Sequence, residues 1–334
     1  MNITKNLRQL RILIPVLVTA FLLGACSVGA VPSGQSETPL PSLTGEFKPE
    51  PGEKEPLLTF QDALGHTVTV NKADRVAALM GSFAEMWLQA GGSLAGVTDD
   101  AYSERGLELP ETTALLGSYK SPGVESIIAL NPDLVILSAD TAEHVALYQT
   151  LRDAGVTPAY FSVKQFDEYL DTLKLFASIT GRQDLYEKNG LEVKAIVDAQ
   201  IKRAEGHEAP SVLFIRAFSS GFRAQDSESM TGAMLRDLGA DNIADHEKSL
   251  LEELSMEAII AADPQYIFVV TMGADHEKAL EVLRKSLQDN PAWEGLSAIR
   301  ADRYYVLPRE LFHYKPNARW GESYDYLADI LYGE

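Results

Sequence analysis

Two stretches of the sequence decide the fold: "VESIIALNPDLVILS" at residues 124–138 and "MEAIIAADPQYIFVV" at residues 256–270. In each, a short helical pattern leads through a proline into an apolar run of strand length. A glutamate, two isoleucines, an alanine and the proline recur in the same register. Continuous apolar strands are typical of sheets that helices cover on both faces. A chance match of a common pattern is the alternative; otherwise the repeat predicts an α/β fold with two lobes.

The chain around these stretches supports two lobes with a helical connection between them. Strand and helix patterns alternate over residues 57–164 and again over residues 206–334, whereas residues 165–205 have a helical pattern nearly throughout, with a break near Gly181. We therefore predict an N-terminal α/β lobe at 57–164, a connecting helical segment at 165–205 and a C-terminal α/β lobe at 206–334.

The N-terminus predicts a lipid anchor. A basic segment, "MNITKNLRQLR", precedes an apolar run at residues 12–24, which has signal-peptide length and is too short to span a bilayer comfortably. The run ends in "LLGACS", which looks like a bacterial lipobox and contains Cys26, the only cysteine. We predict a lipoprotein signal peptide at 1–25 and a lipid-modified Cys26. An unmodified cysteine at the end of an anchor helix is the alternative.

The segment after the cysteine predicts a flexible tether. Residues 27–56 are rich in Pro, Ser, Gly and Glu and carry too few apolar side chains to pack. We expect residues 26–56 to hold the lobes close to the membrane, because several acyl chains on Cys26 would anchor firmly where one anchors only marginally.

Composition and motifs exclude several classes of protein. The formal net charge is -19, and such an acidic surface repels nucleic acid and anionic lipid. The lobes contain no cysteine, so their stability depends on an apolar core rather than on disulfides. The six histidines form no HExxH pattern or tight cluster, so no dedicated metal site is predicted. No GxSxG, P-loop, GxGxxG or CxxC motif is present, and we predict that the protein is not an enzyme.

The chain from about Leu57 to Glu334 resembles the iron-siderophore, haem and cobalamin binding proteins of ABC importers. The resemblance rests on the order and spacing of "DALGHTVTV", "RVAAL", "GSYKSPGVESIIALNPDLVIL", "LSMEAIIAADPQYIFV" and "NPAWEGLSAIRADRYYVL". It implies two α/β lobes joined by one long rigid connecting helix, with the ligand cleft between the lobes.

The resemblance also implies a function. The protein would be a monomer on the outer face of the cell membrane, extracellular or periplasmic, and would capture a ferric siderophore or haem. It would deliver this small metal complex to a permease dimer with its ATPase subunits, and would have no resident cofactor and no nucleic-acid partner. A cobalamin or corrinoid ligand is one alternative, and a surface lipoprotein without a transport role is another.

By the same resemblance, Glu125 and Glu257 would dock onto arginines of the permease, one glutamate from each lobe. Arginine pairs a carboxylate in a fork, so two such contacts would orient the complex as well as attract it. A purely structural role is the alternative, because each glutamate falls in the first turn of a predicted helix. There its charge interacts with the helix dipole and stabilises the helix by about 0.3–1 kcal/mol.

The loop "GSYKSPG" at residues 117–123 would reach into the cleft from the first lobe. Tyr119 could ligate ferric iron or stack on a ligand, and Lys120 could neutralise an anionic oxygen. An ordinary turn with two exposed polar side chains is the alternative.

The second lobe would provide the facing wall of the cleft. We expect Arg216, Phe218 and Arg223 in "FIRAFSSGFRAQ" to combine fork donors with an aromatic face. Met272 follows an apolar strand whose end faces the cleft in the family. The last set of expected ligand-binding residues is His313 and Tyr314, in a basic and aromatic cluster. Packing or an ordinary loop is the alternative at each position. Candidate iron ligands are Tyr119, Met272 and His313.

Overall fold

The computed structural model describes residues 56–252, 254–273 and 275–333. The predicted signal peptide, Cys26 and residues 27–55 of the predicted tether lie outside the described residues. No helix in the described part is both long enough and apolar enough to cross a membrane.

The first lobe is built on a parallel sheet of five strands in the order β5-β4-β3-β8-β9. An antiparallel hairpin, β1-β2, precedes the sheet, and a second, short hairpin, β6-β7, leads into helix α3. The strands are β1 (Leu58–Gln61), β2 (Thr67–Val70), β3 (Val76–Ala78), β4 (Gly96–Val97), β5 (Ala114–Leu115), β6 (Gly117–Ser118), β7 (Ser121–Pro122), β8 (Leu134–Ser138) and β9 (Pro158–Phe161). The helices are α1 (Gly81–Gln89), α2 (Asp100–Ser103), α3 (Val124–Leu130), α4 (Ala142–Val145) and α5 (Tyr148–Asp153).

Three helices connect the lobes: α6 (Phe166–Thr180), α7 (Gln183–Tyr186) and α8 (Glu192–Ala204). A π-helical turn at Glu187–Leu191 joins α7 to α8, so residues 183–204 form one continuous helical run. Gly181 ends α6 in the left-handed conformation at φ 70°, which a glycine adopts without strain. The chain then turns back, and the Tyr169 hydroxyl in α6 donates to the Asn189 carbonyl in the π turn over 2.6 Å.

The second lobe contains the sheet β11-β10-β13-β14, with β12 also paired to β10. All pairings in it are parallel except that of β10 with β11. The strands are β10 (Ser211–Phe218), β11 (Gly221–Ala224), β12 (Asp241–Asn242), β13 (Tyr266–Met272) and β14 (Tyr304–Val306). The helices are α9 (Met230–Asp237), α10 (Ile243–His246), α11 (Ser249–Glu252), α12 (Met256–Ala262), α13 (His276–Leu283), α14 (Ser297–Arg300), α15 (Arg309–Phe312) and α16 (Trp320–Tyr332).

The repeat seen in the sequence is a repeat of structure. Helix α3 ends at Asn131 with φ 47° and leads into β8, and α12 ends at Asp263 with φ 38° and leads into β13. Both strands are flanked by neighbours on either side in their sheets. The predicted α/β class with two lobes is confirmed.

One predicted helix is divided. The pattern at residues 142–155 predicts a single helix, but α4 and α5 are separated at residues 146–147. The carbonyl of His144 accepts both the Leu147 N–H, in a tighter turn, and the buried Tyr160 hydroxyl at 3.0 Å. A tertiary contact therefore interrupts the regular hydrogen-bond ladder.

A continuous apolar core extends over both lobes. It contains side chains from the first sheet, the connecting helices, the second sheet and α16. Aromatic contacts join these elements: Phe161 lies 4.9 Å from Phe176, and Phe166 lies 5.7 Å from Trp320, between ring centroids. Two smaller cores lie under the other faces of the two sheets. Because the lobes share one core, large independent movement of either lobe would expose apolar surface.

Candidate functional site

A cavity of about 190 Å³ lies between the two lobes. The chain enters it at the carboxyl ends of parallel strands, where ligands bind in open α/β sheets: Met80 follows β3, Asp100 follows β4 and Met272 ends β13. The lining residues are Met80, Ser82, Asp100, Glu104, Arg105, Tyr119 and Lys120 from the first lobe, and Met272, Gly273, His313, Tyr314 and Lys315 from the second.

A second cavity of about 410 Å³ adjoins the first. His313 and Lys315 line both cavities, so we treat the two as compartments of one cleft. Arg216 lines the second compartment from β10, and Lys164 faces it from the first lobe in an ion pair of 3.0 Å with Asp140.

The structure brings most of the expected ligand-binding residues together. In the first compartment lie Tyr119, Lys120, Met272, His313 and Tyr314, and in the second lie Arg216 and His313. Phe218 and Arg223 line neither compartment. Phe218 pairs with Met272 across β10 and β13 but packs over the β10-β11 turn, 3.4 Å from the position a Cβ would take at Gly221, while Arg223 on β11 is exposed.

The hairpin that carries Tyr119 and Lys120 is fixed from below by a buried histidine. The backbone N–H of Ser138 donates to Nδ1 of His144 over 3.0 Å, so the ring must carry its proton on Nε2. That Nε2–H donates to the Tyr119 carbonyl over 2.7 Å. Burial lowers the pKa of His144 and favours this neutral form. The turn also requires Gly117, which has φ 90° and where a Cβ would lie 3.0 Å from the Ser121 carbonyl oxygen.

Arg309 organises the wall of the second lobe. Its Nε–H donates to the Thr271 carbonyl over 3.1 Å, and its guanidinium lies 5.0 Å from the centre of the Tyr314 ring. The guanidinium also donates to Nε2 of His276, which must therefore direct Nδ1–H to the Thr271 hydroxyl at 3.2 Å. This network connects the end of β13 to the loop that follows α15.

Cations without a described ion-pair partner line the cleft, beside the carboxylates of Glu104, Asp226 and Glu228. Among the described residues, Lys120, Lys315 and Arg216 take part in no ion pair, although the chain is strongly acidic. Burial, followed by the charges of Arg309 and nearby cations, lowers the pKa of His313 to about 4. Burial also lowers the pKa of Lys315 and of Arg216. His313 is thus a neutral imidazole beside cations, with a nitrogen able to ligate a metal.

Several polar residues of the cleft were not expected from the sequence. Arg105 pairs with Glu85, and burial lowers the pKa of Arg105 to about 10. Glu85 also accepts from the Nδ2 amide of Asn317 at 2.7 Å, and that amide donates to the Ser82 carbonyl at 2.9 Å, which ties the second lobe to α1. These residues lie in short helices and loops without a motif, so charge in an irregular segment was their only signal.

Asp100 at the cleft wall has a structural role. Its carboxylate accepts from the Gly81 N–H at 2.7 Å and from the Thr98 hydroxyl at 2.6 Å, and so fixes the start of α1. Burial raises the pKa of Asp100, while these hydrogen bonds favour its ionised form.

The two glutamates expected to dock lie at equivalent places. Glu125 is in the first turn of α3 and Glu257 in the first turn of α12, and both are exposed. The Ser255 hydroxyl caps α12 by accepting from the Ala258 N–H at 3.2 Å. Neither glutamate forms an ion pair with a described residue, which leaves both carboxylates available to a partner.

Comparison with known proteins gives a consistent family. The profile of the family described as periplasmic binding protein matches residues 76–311. The Fe(3+)-citrate-binding protein YfmC of Bacillus subtilis strain 168 is 24% identical over 255 residues, which cover 75% of this chain and 78% of the relative. The Fe(3+) dicitrate-binding periplasmic protein FecB of Escherichia coli K12 is 26% identical over 250 residues, with 72% and 78% covered.

A solved structure shares the fold. The crystal structure of Staphylococcus aureus SirA complexed with staphyloferrin B superposes with a TM-score of 0.63 at 18% identity. The match covers 82% of this chain and 97% of that one. At this identity the likeness concerns the fold alone.

Proposed function

The chain belongs to the periplasmic binding protein family, and we propose that it is the substrate-binding component of an ABC importer for an anionic iron complex. It captures the complex in the cleft and delivers it to a permease dimer served by ATPase subunits. The chain acts as a monomer on the outer face of the membrane, holds no resident cofactor and catalyses no bond change. Glu125 and Glu257 dock onto the permease.

The observation that carries the ligand class is the set of cations without ion-pair partners among the described residues. Lys120 approaches from the first lobe, and Arg216 and Lys315 from the second, so an anion between the lobes would be contacted from both sides. A ferric complex rich in carboxylates, of the ferric citrate type, fits this pattern. The names of the two curated relatives support the same class.

Haem is the second candidate, and one observation favours it. Tyr119 of the first lobe and His313 and Met272 of the second line the same compartment, and each has an atom that can ligate iron. In favour of a carboxylate-rich complex, Lys120 of the first lobe and Lys315 of the second both line this compartment, so charges on opposite sides of the ligand would each be contacted. We therefore place ferric carboxylates first.

Titration of residues 27–334, produced without lipid, tests the ligand class. We expect saturable quenching of tryptophan fluorescence by ferric citrate at one equivalent, and weaker binding of haemin and cobalamin. The double variant Lys120→Ala, Lys315→Ala should bind ferric citrate at least ten-fold more weakly, because charge-assisted hydrogen bonds contribute about 1.5–3 kcal/mol each.

Arg223→Ala is the matched control, since it removes an exposed cation that lines neither compartment. An equal loss of affinity in this control would mean that overall charge, rather than the cleft, binds the complex. A Soret shift with haemin together with no response to ferric citrate would reverse the order of the two ligand classes.

The lipid anchor rests on the lipobox-like sequence and is tested separately. In cells that express the full chain and are grown with labelled fatty acid, we expect the native protein to incorporate the label and to be found in the membrane fraction. We expect Cys26→Ser to take up no label and to leave the membrane fraction. Membrane retention of the unlabelled Cys26→Ser chain would instead indicate an uncleaved anchor helix.

A further inference from the structure

A cavity of about 270 Å³ lies at the edge of the second sheet that is opposite to the cleft. It is lined by the residues directly before three neighbouring strands: Pro210 before β10, Gln265 before β13 and Arg303 before β14. Because these strands are parallel, their amino ends share one edge, whereas the cleft lies at their carboxyl ends. The other lining residues are His207, Glu208, Tyr266, Leu331 and Tyr332.

Arg303 presents a positioned cation to this cavity. Its guanidinium lies 4.7 Å from the centre of the Tyr266 ring. It takes part in no ion pair with a described residue, although the chain has a net charge of -19. An arginine stacked on an aromatic face keeps the N–H donors at its edge for a carboxylate, which it binds in a fork.

Gln265 adds a second donor at the same edge. Its amide oxygen accepts the Ser211 N–H over 2.9 Å, and its backbone N–H donates to the Ser211 hydroxyl over 3.1 Å. These contacts hold the side chain by its oxygen and leave the NH₂ group for another acceptor. Since β13 and β14 are paired, this amide and the Arg303 guanidinium precede adjacent strands and converge on one cavity.

The remaining walls are mostly rings and aliphatic groups. Tyr332, at the end of α16, lies against the His207 imidazole with 4.7 Å between ring centroids. The Tyr332 hydroxyl donates to the Leu238 carbonyl, and the Tyr266 hydroxyl donates to the Leu331 carbonyl over 3.4 Å. Both tyrosines therefore offer ring surface rather than a hydroxyl. A simple inorganic anion would leave these walls uncovered, whereas a flat ring would pack against them.

We propose that this cavity binds a small planar aromatic carboxylate, whose carboxylate lies on Arg303 and Gln265 and whose ring lies against Tyr332 and His207. Glu208 also lines the cavity and pairs with no cation in the described part of the chain, so it opposes the ligand's own charge. The cavity is separate from the cleft, and its ligand is independent of the importer function.

Titration of residues 27–334 with 4-fluorobenzoate, followed by ¹⁹F NMR, tests the proposal. We expect saturable binding that benzoate displaces. Benzamide, which lacks the charge, and cyclohexanecarboxylate, which lacks the flat ring, should displace the probe at least ten-fold less well. Equal displacement by either compound, or no saturation, would overturn the proposal in the native protein without the use of a variant.

Variants then locate the probe. Arg303→Gln should bind 4-fluorobenzoate at least ten-fold more weakly, and Glu208→Gln should bind it more tightly, because a neighbouring negative charge is removed. Arg300→Gln is the matched control, since it removes an exposed cation of the same segment that does not line the cavity. An equal loss of affinity in Arg300→Gln would mean that general surface charge, rather than the cavity, holds the probe.

Competition with the cleft ligand separates this site from the proposed function. Gallium citrate, a diamagnetic stand-in for the ferric complex, should leave the bound 4-fluorobenzoate in place, because the cleft lies at the other edge of the sheet. Displacement by gallium citrate would put the probe in the cleft and overturn the proposal. Binding of 4-fluorobenzoate by a protein that does not bind ferric citrate would support the cavity and overturn the ligand class of the cleft alone.

Discussion

At the scale of single residues, His144 supports the cleft without lining it. It is fully buried and connects the Ser138 N–H at the end of β8 to the Tyr119 carbonyl in the hairpin. The contact with Ser138 requires the neutral ring, because Nδ1 can accept a hydrogen bond only when it carries no proton. Since burial lowers the pKa of His144 below its ordinary value of 6.5, the unfolded chain binds more protons than the folded chain as the pH falls through that value. The contribution of His144 to the free energy of unfolding is therefore complete above about pH 6.5 and declines below it.

We expect His144→Phe to lower the free energy of unfolding at pH 7.5 by about 1–3 kcal/mol for each buried group left without a partner. Between pH 6.5 and 5, the variant should also lower the slope of the free energy of unfolding against pH. The change is that of at most one proton, which is about 1.4 kcal/mol per pH unit. Urea unfolding at both pH values measures this. His207→Gln, which removes an exposed imidazole, is the matched control. An unaltered slope in His144→Phe would assign the acid sensitivity to other groups, with His313 first among them.

At the scale of elements, the sequence predicted what local pattern determines. Helices α3 and α12 and strands β8 and β13 follow from apolar periodicity, and Gly181 from its position after a helical run. The division between α4 and α5 could not be predicted, since it depends on the Tyr160 hydroxyl, a contact outside the local segment.

The same reasoning explains what was predicted of the cleft. The loop with Tyr119 was found through family resemblance, and the loop with His313 through its cluster of basic and aromatic residues. Arg105 was missed because it lies in the irregular segment after α2, which has no periodic signal. Phe218 and Arg223 were expected in the cleft from their residue types and their position at the end of a buried strand, but neither lines a compartment. Residue type alone does not reveal which side chains of a hairpin reach a cleft, because that depends on tertiary placement.

At the scale of the whole molecule, the cleft lies between lobes that are not independent. Their inner sheet faces share one core with the connecting helices, and Asn317 of the second lobe donates to both Ser82 and Glu85 of the first. Capture of a ligand is therefore expected to involve only modest closure. The shared core also implies that loss of either lobe exposes apolar surface of the other, which favours unfolding in one transition.

The three tryptophans, Trp87, Trp293 and Trp320, can test this coupling. Trp87 lies in the shared core within the first lobe, Trp293 under the outer face of the second sheet, and Trp320 between α16 and the connecting helices. With 5-fluorotryptophan incorporated, we expect all three ¹⁹F signals to lose native intensity at one urea concentration. Trp320→Ala should shift the two remaining signals together to lower urea, because truncating a fully buried tryptophan costs about 3–5 kcal/mol. Loss of the Trp293 signal while that of Trp87 stays native would show that the second lobe unfolds alone, and that the common core does not couple the walls of the cleft.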